Sequence, residues 1–122
     1  MILADTSVWI DHLRSSDREL AKQLNNDAIA MHPFVAGELA LGPLPNRNKL
    51  LAYLDYLPQL RPASQNEVRQ MIEAHSLHNR GIGLIDAHLL AAVLINPGTQ
   101  LWTRDKSLRK IAKGLGVLAG LP

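Results

Sequence analysis

The stretch MILADTSVW, residues 1–9, sets the expected fold, because a short apolar segment runs into a carboxylate and then into a helix. Met1 to Ala4 predicts a buried strand, since a strand covered on both faces is apolar along its length. A helix is expected from about Ser7 to Leu13, with Trp9 at a position suited to the core. Asp5 separates the two elements and is therefore expected at the carboxyl end of the strand.

The same alternation of strands and helices continues along the chain. Further strands are expected at Ala28 to Met31, Gln59 to Arg61, Gln100 to Thr103 and near Val117. Helices are expected after a Ser16 cap, from Pro33 to about Leu41, over 47–57, from a Ser64 capping box to about Asn79, over Leu84 to Ile95, and over Ser107 to Lys113. This order predicts an α/β fold with a mainly parallel sheet covered on both faces. Sites in such sheets lie at the carboxyl ends of the strands.

The composition indicates one globular domain spanning residues 1–122. Apolar residues make up 47% of the chain and charged residues 20%, which excludes a disordered protein. The absence of cysteine excludes disulfides and thiolate metal sites and is compatible with the cytoplasm. The start has no basic n-region and meets Asp5 early, so no signal peptide is expected. The longest apolar run, Leu89 to Ile95, is too short to span a membrane.

Basic side chains are concentrated near the end of the chain. Residues 99–122 contain five Lys or Arg and one acid, whereas residues 1–98 contain eight basic and ten acidic side chains. A basic block of this kind favours a polyanionic partner such as nucleic acid. A solvated helix face explains the block equally well.

Four acids each interrupt an apolar stretch, namely Asp5 in ILAD, Glu38 in VAGELAL, Asp86 in GLIDAHLL and Asp105 in LWTRD. A carboxylate in such surroundings is costly unless it is paired or bound to a metal. Each acid taken alone is explained as well by a helix cap or a structural hydrogen bond. Four at topologically similar places favour convergence, and converged carboxylates repel unless a hard cation such as Mg²⁺ neutralises them. Such an ion can assist phosphodiester displacement.

The segments that carry these acids resemble, in order and spacing, the four signature segments of PIN-domain nucleases. They are Ala4-Asp5-Thr6-Ser7, Gly37-Glu38-Leu39, Leu84-Ile85-Asp86-Ala87 and Thr103-Arg104-Asp105. The compact chain is further similar to the VapC toxins of toxin–antitoxin pairs. The resemblance implies a three-layer α/β/α sandwich and an endoribonuclease that depends on Mg²⁺ or Mn²⁺. It also implies a homodimer and an inhibiting VapB-type antitoxin.

The resemblance also assigns roles to individual residues. Asp5, Glu38, Asp86 and Asp105 are expected to be catalytic and to hold the metal. Ser7 and Thr103 match hydroxyl positions that support the carboxylates. The charge and position of three basic residues make them candidates for RNA contact, namely Arg80, Arg104 and Lys106.

Three other interpretations were compared with this one. A zinc site at His75 and His78, one turn apart on the expected helix, lacks a third ligand. A phosphoacceptor receiver domain needs adjacent acids after the first strand and a late lysine, but here Thr6 follows Asp5. A PIN-like module that only binds RNA or protein stays open, because sequence alone does not demonstrate turnover.

Overall fold

Three short parallel strands form the centre of the computed structural model, which describes all 122 residues. The strands are β1 (Ile2–Ala4), β2 (Ile29–Ala30) and β3 (Gln100–Trp102). Seven helices flank the sheet, namely α1 (Thr6–Ser15), α2 (Arg18–Asn25), α3 (Pro33–Ala40), α4 (Arg47–Tyr56), α5 (Gln65–Ala74), α6 (Leu84–Ile95) and α7 (Lys106–Gly114). This architecture confirms the predicted α/β sandwich. None of the seven helices is both long enough and apolar enough to cross a lipid bilayer.

The first strand lies in the middle of the sheet, which has the order β2-β1-β3. Ile2 pairs with Ile29 on one side and with Gln100 on the other, both in parallel register. A central strand has neighbours on both edges and helices on both faces, which explains why Leu3 and Ala4 are fully buried. Parallel pairing places the carboxyl ends of all three strands at one edge of the sheet.

Two of the expected strands are shorter than predicted. The segment at Gln59 contributes one parallel bridge, to Met31, and the segment near Val117 contributes one, from Leu118 to Leu101. These residues extend the hydrogen-bonding of β2 and β3 by a single contact each. Pro58 and Pro62 flank the first segment, and Gly116 and Gly120 flank the second, which limits the length of either ladder.

The helix predictions were confirmed where capping chemistry was explicit. Pro33 opens α3 in the first turn, Ser64 and Glu67 form a reciprocal capping box, and α6 spans Leu84 to Ile95 as expected. Two other boundaries were wrong. Asp17, rather than Ser16, caps α2, since Ser16 has a positive φ of 42° that ends α1.

The second wrong boundary concerns α5, which ends at Ala74 rather than near Asn79. Ser76 and Asn79 have positive φ angles of 51° and 57°, so the chain turns twice in this stretch. The turn lets Leu77 reach the core. His75 and His78 are consequently exposed and lie outside the helix. They are therefore not one helical turn apart, which was the arrangement that suggested a zinc site.

Helix α6 is largely buried and packs against β3 and α5. Every residue from Ala87 to Val93 is buried, which accounts for the strongly apolar character of this helix. Trp9 and Trp102 are also buried, as expected for Trp9. Leu54, in α4, is fully buried as well.

His32 joins β2 to α3 and is, with Thr103, one of two polar residues that are fully buried. Its side chain is 0% exposed, and its Nδ1 accepts a hydrogen bond from the backbone N–H of Phe34 at 2.9 Å, which caps α3. The other ring nitrogen, Nε2, has no hydrogen-bond partner. Burial, with a smaller contribution from the charge of His88, lowers the pKa of His32 from 6.5 to about 4.

We therefore expect His32 to make the protein less stable in mild acid. Its folded-state pKa lies below the unfolded value, so the unfolded chain binds more protons than the folded chain between pH 6.5 and 4. The free energy of unfolding therefore decreases as the pH is lowered from 6.5 to 4. The loss should approach about 3 kcal/mol, at 1.36 kcal/mol per pH unit between the two pKa values. Denaturant unfolding at a series of pH values measures it.

The matched comparison is His32→Asn against His75→Asn. Asparagine can still cap α3 but does not titrate in this range, so His32→Asn should show a shallower loss of stability between pH 6.5 and 4. His75 is exposed, and its variant should follow the wild-type curve. Parallel curves for all three proteins would contradict the assignment.

Candidate active site

The carboxylate of Asp5 is the most buried acid of the molecule, at 6% exposure, and it is surrounded by donors. One oxygen, Oδ1, accepts the backbone N–H groups of Ser7 at 3.0 Å and Val8 at 3.4 Å, which caps α1. The same oxygen accepts the Ser7 hydroxyl at 2.5 Å. The second oxygen, Oδ2, accepts the hydroxyl of Thr103. These four donors compensate for removing a carboxylate from water.

Thr103 connects Asp5 to the second strand end of the site. Its buried hydroxyl donates to Asp5 and accepts the backbone N–H of Asp105 at 3.1 Å. Asp105 in turn caps α7, since its Oδ2 accepts the N–H of Leu108 at 2.9 Å. The structure thus links the end of β1, the end of β3 and the start of α7 through one hydroxyl.

Glu38 lies in the last turn and a half of α3 and faces the start of α1. Its Oε1 accepts the hydroxyl of Thr6 at 2.7 Å. Sequence reasoning missed Thr6, although it stands between two residues that were chosen. A threonine beside a strand-terminal acid has a hydroxyl able to reach a neighbouring element, and that was the available signal.

The pKa of Asp86 reflects its burial and the negative charges of the other three acids. It lies in the first turn of α6. Burial raises its pKa, a backbone N–H at Gly83 opposes the rise, and the negative charges of the three other acids raise it further, namely Asp105, Asp5 and Glu38. Each of the other three acids chosen from the sequence therefore lies within electrostatic range of Asp86.

The donor set fits a hard divalent cation by its chemistry, since every candidate ligand is a carboxylate oxygen. No three acidic or histidine side chains lie near enough to one another to coordinate the same ion directly. Asp5 and Asp105 direct oxygens to backbone and hydroxyl donors, and Glu38 directs one to Thr6. Mg²⁺ keeps several waters and is usually bound directly by one or two carboxylates. Acids that lie too far apart for three of them to bind one ion directly are therefore compatible with Mg²⁺.

Arg104 has a structural role that the sequence did not reveal. Its guanidinium donates to Asp11 at 2.7 Å and to Asp17 at 2.6 Å, and its Nε donates to the carbonyl of Pro122 at 3.0 Å. The expectation that Arg104 is available for RNA is therefore corrected: this side chain ties α1, α2 and the chain end together. Arg80 and Lys106, the other two basic candidates, are exposed and form no ion pair.

Aromatic and histidine rings pack beside the acids. Phe34 meets His32 at 5.3 Å and His88 at 4.8 Å between ring centroids, each edge to face. Phe34 belongs to the helix of Glu38 and His88 to the helix of Asp86, so this stack fixes α3 against α6. Both histidines are buried.

A parallel α/β sheet with four acids gathered at its carboxyl edge defines the class, and the comparison with known families agrees. The model of the PIN domain matches residues 2–114, and the chain belongs to the PIN-domain family. The chain is similar to Ribonuclease VapC32 of Mycobacterium tuberculosis, both in strain CDC 1551 / Oshkosh and in strain ATCC 25618 / H37Rv. Each relative is 43% identical over 117 residues, covering 96% of this chain and 94% of the relative. The resemblance to VapC-type PIN proteins is thereby confirmed.

The first prediction from the site is that Asp86 destabilises the metal-free protein. Asp86→Asn keeps the shape and removes one of four neighbouring negative charges, so in EDTA the variant should melt at the wild-type temperature or above. Mg²⁺ should raise the melting temperature of wild type by mass action and that of the variant much less. Thermal melts in EDTA and in Mg²⁺ measure both effects.

The control is Asp55→Asn, which removes an exposed carboxylate from α4 and should respond to Mg²⁺ like wild type. The raised pKa of Asp86 means that the folded state takes up its proton first, so this group adds stability as the pH falls toward that pKa. If Asp86→Asn melts several degrees lower in EDTA and wild type ignores Mg²⁺, Asp86 is a structural cap.

Proposed function

We propose that the protein is a divalent-metal-dependent endoribonuclease of the VapC toxin type, acting in the cytoplasm. The observation that carries the proposal is the convergence of Asp5, Glu38 and Asp105 on Asp86 at the carboxyl edge of a parallel sheet. The PIN-domain match and the likeness to a ribonuclease over nearly the whole chain support it. The cation that we propose is Mg²⁺ or Mn²⁺, and these four acids are its candidate ligands, directly or through its waters.

The bound cation would supply charge neutralisation, activation of water and stabilisation of the leaving oxygen at a phosphodiester. The side chains prepare its site. Ser7 and Thr103 hold Asp5 in one rotamer, so its carboxylate does not have to reorganise when charge builds up nearby. Thr6 holds one oxygen of Glu38 and leaves the other oxygen for the cation or its waters.

The histidines favour hydrolysis over attack by the 2′-hydroxyl of RNA. Attack by that hydroxyl needs an acid and a base on either side of the phosphate, and histidine usually serves. His32 and His88 are buried, and they contact the ring of Phe34. Hydrolysis at an oxygen-ligated cation would leave 5′-phosphate and 3′-hydroxyl ends.

Our second prediction from the site concerns cleavage itself. Purified protein should cut single-stranded RNA in Mg²⁺ or Mn²⁺ and stop in excess EDTA. Asp86→Asn should lose at least about a hundredfold in rate, the order expected for removing a group that stabilises transition-state charge. Asp55→Asn should cut at the wild-type rate. Labelled RNA resolved on gels, with end-group mapping of the products, measures rate and chemistry together.

Three outcomes would contradict this proposal. Undiminished activity in EDTA would remove the cation from the mechanism, and 2′,3′-cyclic phosphate ends would indicate attack by the 2′-hydroxyl. Binding of RNA without any cleavage would favour the alternative, a catalytically silent PIN-like module.

We further propose that the protein forms a homodimer and is inhibited by a small VapB-type antitoxin. A cleft of about 230 Å³ lies beside Glu38, lined by Ile10, Leu13 and Arg14 among others. An apolar segment of a partner could occupy this cleft, while a basic side chain approached the acids. Leu84 and Ile85, exposed at the start of α6, offer apolar surface to a second copy.

Co-expression with the neighbouring small open reading frame tests both assemblies. We expect a complex whose mass, measured by light scattering, contains two copies of this chain, and we expect growth to be restored. Ile10→Asp should weaken the complex and leave cleavage intact, whereas Tyr56→Asp, at an exposed site outside the cleft, should leave both the complex and cleavage unchanged. Failure to find a complex would count against the toxin assignment but not against the nuclease.

A further inference from the structure

A basic cavity of about 320 Å³ lies where the loop that follows α5 meets the first two turns of α7. Its lining consists of Arg80, Lys110, Asn79, Ser107 and Ile111. The side chains of the first four can donate hydrogen bonds, and no acidic residue lines the cavity.

Close contact between the loop and α7 shapes this cavity. Gly81 has a φ of +83°, and a Cβ at this position would lie 2.9 Å from the hydroxyl oxygen of Ser107. Only glycine accepts both the backbone conformation and the approach. Asn79 has a positive φ of 57°, which turns the chain just before Arg80. The backbone conformation of this loop therefore allows it to pack closely against α7.

The two cationic side chains in the cavity have no partners within the protein. By contrast, two other arginines near the end of the chain do have partners: Arg104 is paired with two carboxylates, and Arg109 donates to the carbonyls of Thr103 and Leu121. Arg80 and Lys110 make no ion pair and no side-chain hydrogen bond. Two cations exposed at one cavity repel each other, and an anion between them would remove that repulsion.

The position of the cavity relates it to the acids on both sides. Ser107 lies two residues after Asp105 at the start of α7, and the loop that carries Arg80 leads directly into α6 and Asp86. Two residues of the cavity lining are therefore close along the chain to Asp105 and Asp86. An RNA strand whose scissile phosphate lies at the acids would bring a neighbouring phosphate to this edge.

We propose that this cavity is a phosphate subsite, in which Arg80 and Lys110 bind one backbone phosphate next to the scissile bond, an inference that rests on the proposed ribonuclease function. Arg80 contributes a planar fork of donors and Lys110 a point charge. Asn79 and Ser107 complete the set of donors around the phosphate oxygens. The subsite holds RNA in register over the acids without taking part in the chemistry.

The test measures binding of a short fluorescein-labelled single-stranded RNA by anisotropy, in EDTA so that no cleavage occurs, over a series of salt concentrations. The double variant Arg80→Gln/Lys110→Gln should bind several-fold more weakly, and the slope of log affinity against log salt should become shallower by about 0.7, the value for one phosphate on a single strand. The control Lys49→Gln/Lys113→Gln removes the same charge at exposed positions outside the cavity.

A second arm places a single neutral methylphosphonate at successive linkages of the RNA. For wild type, one position beside the mapped cleavage site should cost affinity, and the double variant should be indifferent to that position. Equal losses in both double variants, or equal sensitivity at every linkage, would show a diffuse basic field and overturn the subsite.

Cleavage by wild type is measured in parallel with Mg²⁺ present. Cleavage that proceeds normally, with both double variants binding RNA like wild type, would overturn the subsite alone. Wild type that binds RNA at the subsite but never cleaves it would overturn the nuclease and leave the subsite supported. Wild type that neither binds nor cleaves RNA would overturn both.

Discussion

The structure depends on satisfying one buried carboxylate, that of Asp5. An acid removed from water needs donors, and the chain provides them from α1 and from the end of β3. Because Thr103 gives its hydroxyl to Asp5 and receives the N–H of Asp105, satisfying the first acid also positions the last. The same contacts that cap two helices therefore define one edge of the site. Asp5 and Asp105 both cap helices, and this structural role, which the sequence presents as a rival explanation to metal binding, leaves both residues in the site that we propose.

Sequence reasoning succeeded where a local rule was strong. The apolar run of α6, the proline at the start of α3 and the Ser64 capping box each fixed an element from its own residues. The four acids could be chosen because each stood out against an apolar background, and the raised pKa of Asp86 places them near one another. Parallel topology did the rest, since strands that run the same way end at the same edge.

Sequence reasoning failed where the deciding contact is distant along the chain. Nothing near Arg104 announces that it pairs with Asp11 and Asp17, so its positive charge was assigned to RNA. The early end of α5 depends on Leu77 entering the core, which only the packed structure reveals. Thr6 was missed because its partner, Glu38, lies on another helix. Side-chain pairing across elements is a property of the tertiary structure, and local patterns do not encode it.

The hydrogen bond from Thr103 to Asp5 spans 98 positions of the chain, and this has a consequence for the order of synthesis. A ribosome makes β1 first, whereas its partner β3 and the acid that follows β3 lie at the other end of this span. Long-range parallel pairing cannot form before both strands are available. The four acids can therefore assemble only after the chain has been synthesised through Asp105, so a shorter polypeptide lacks the complete set.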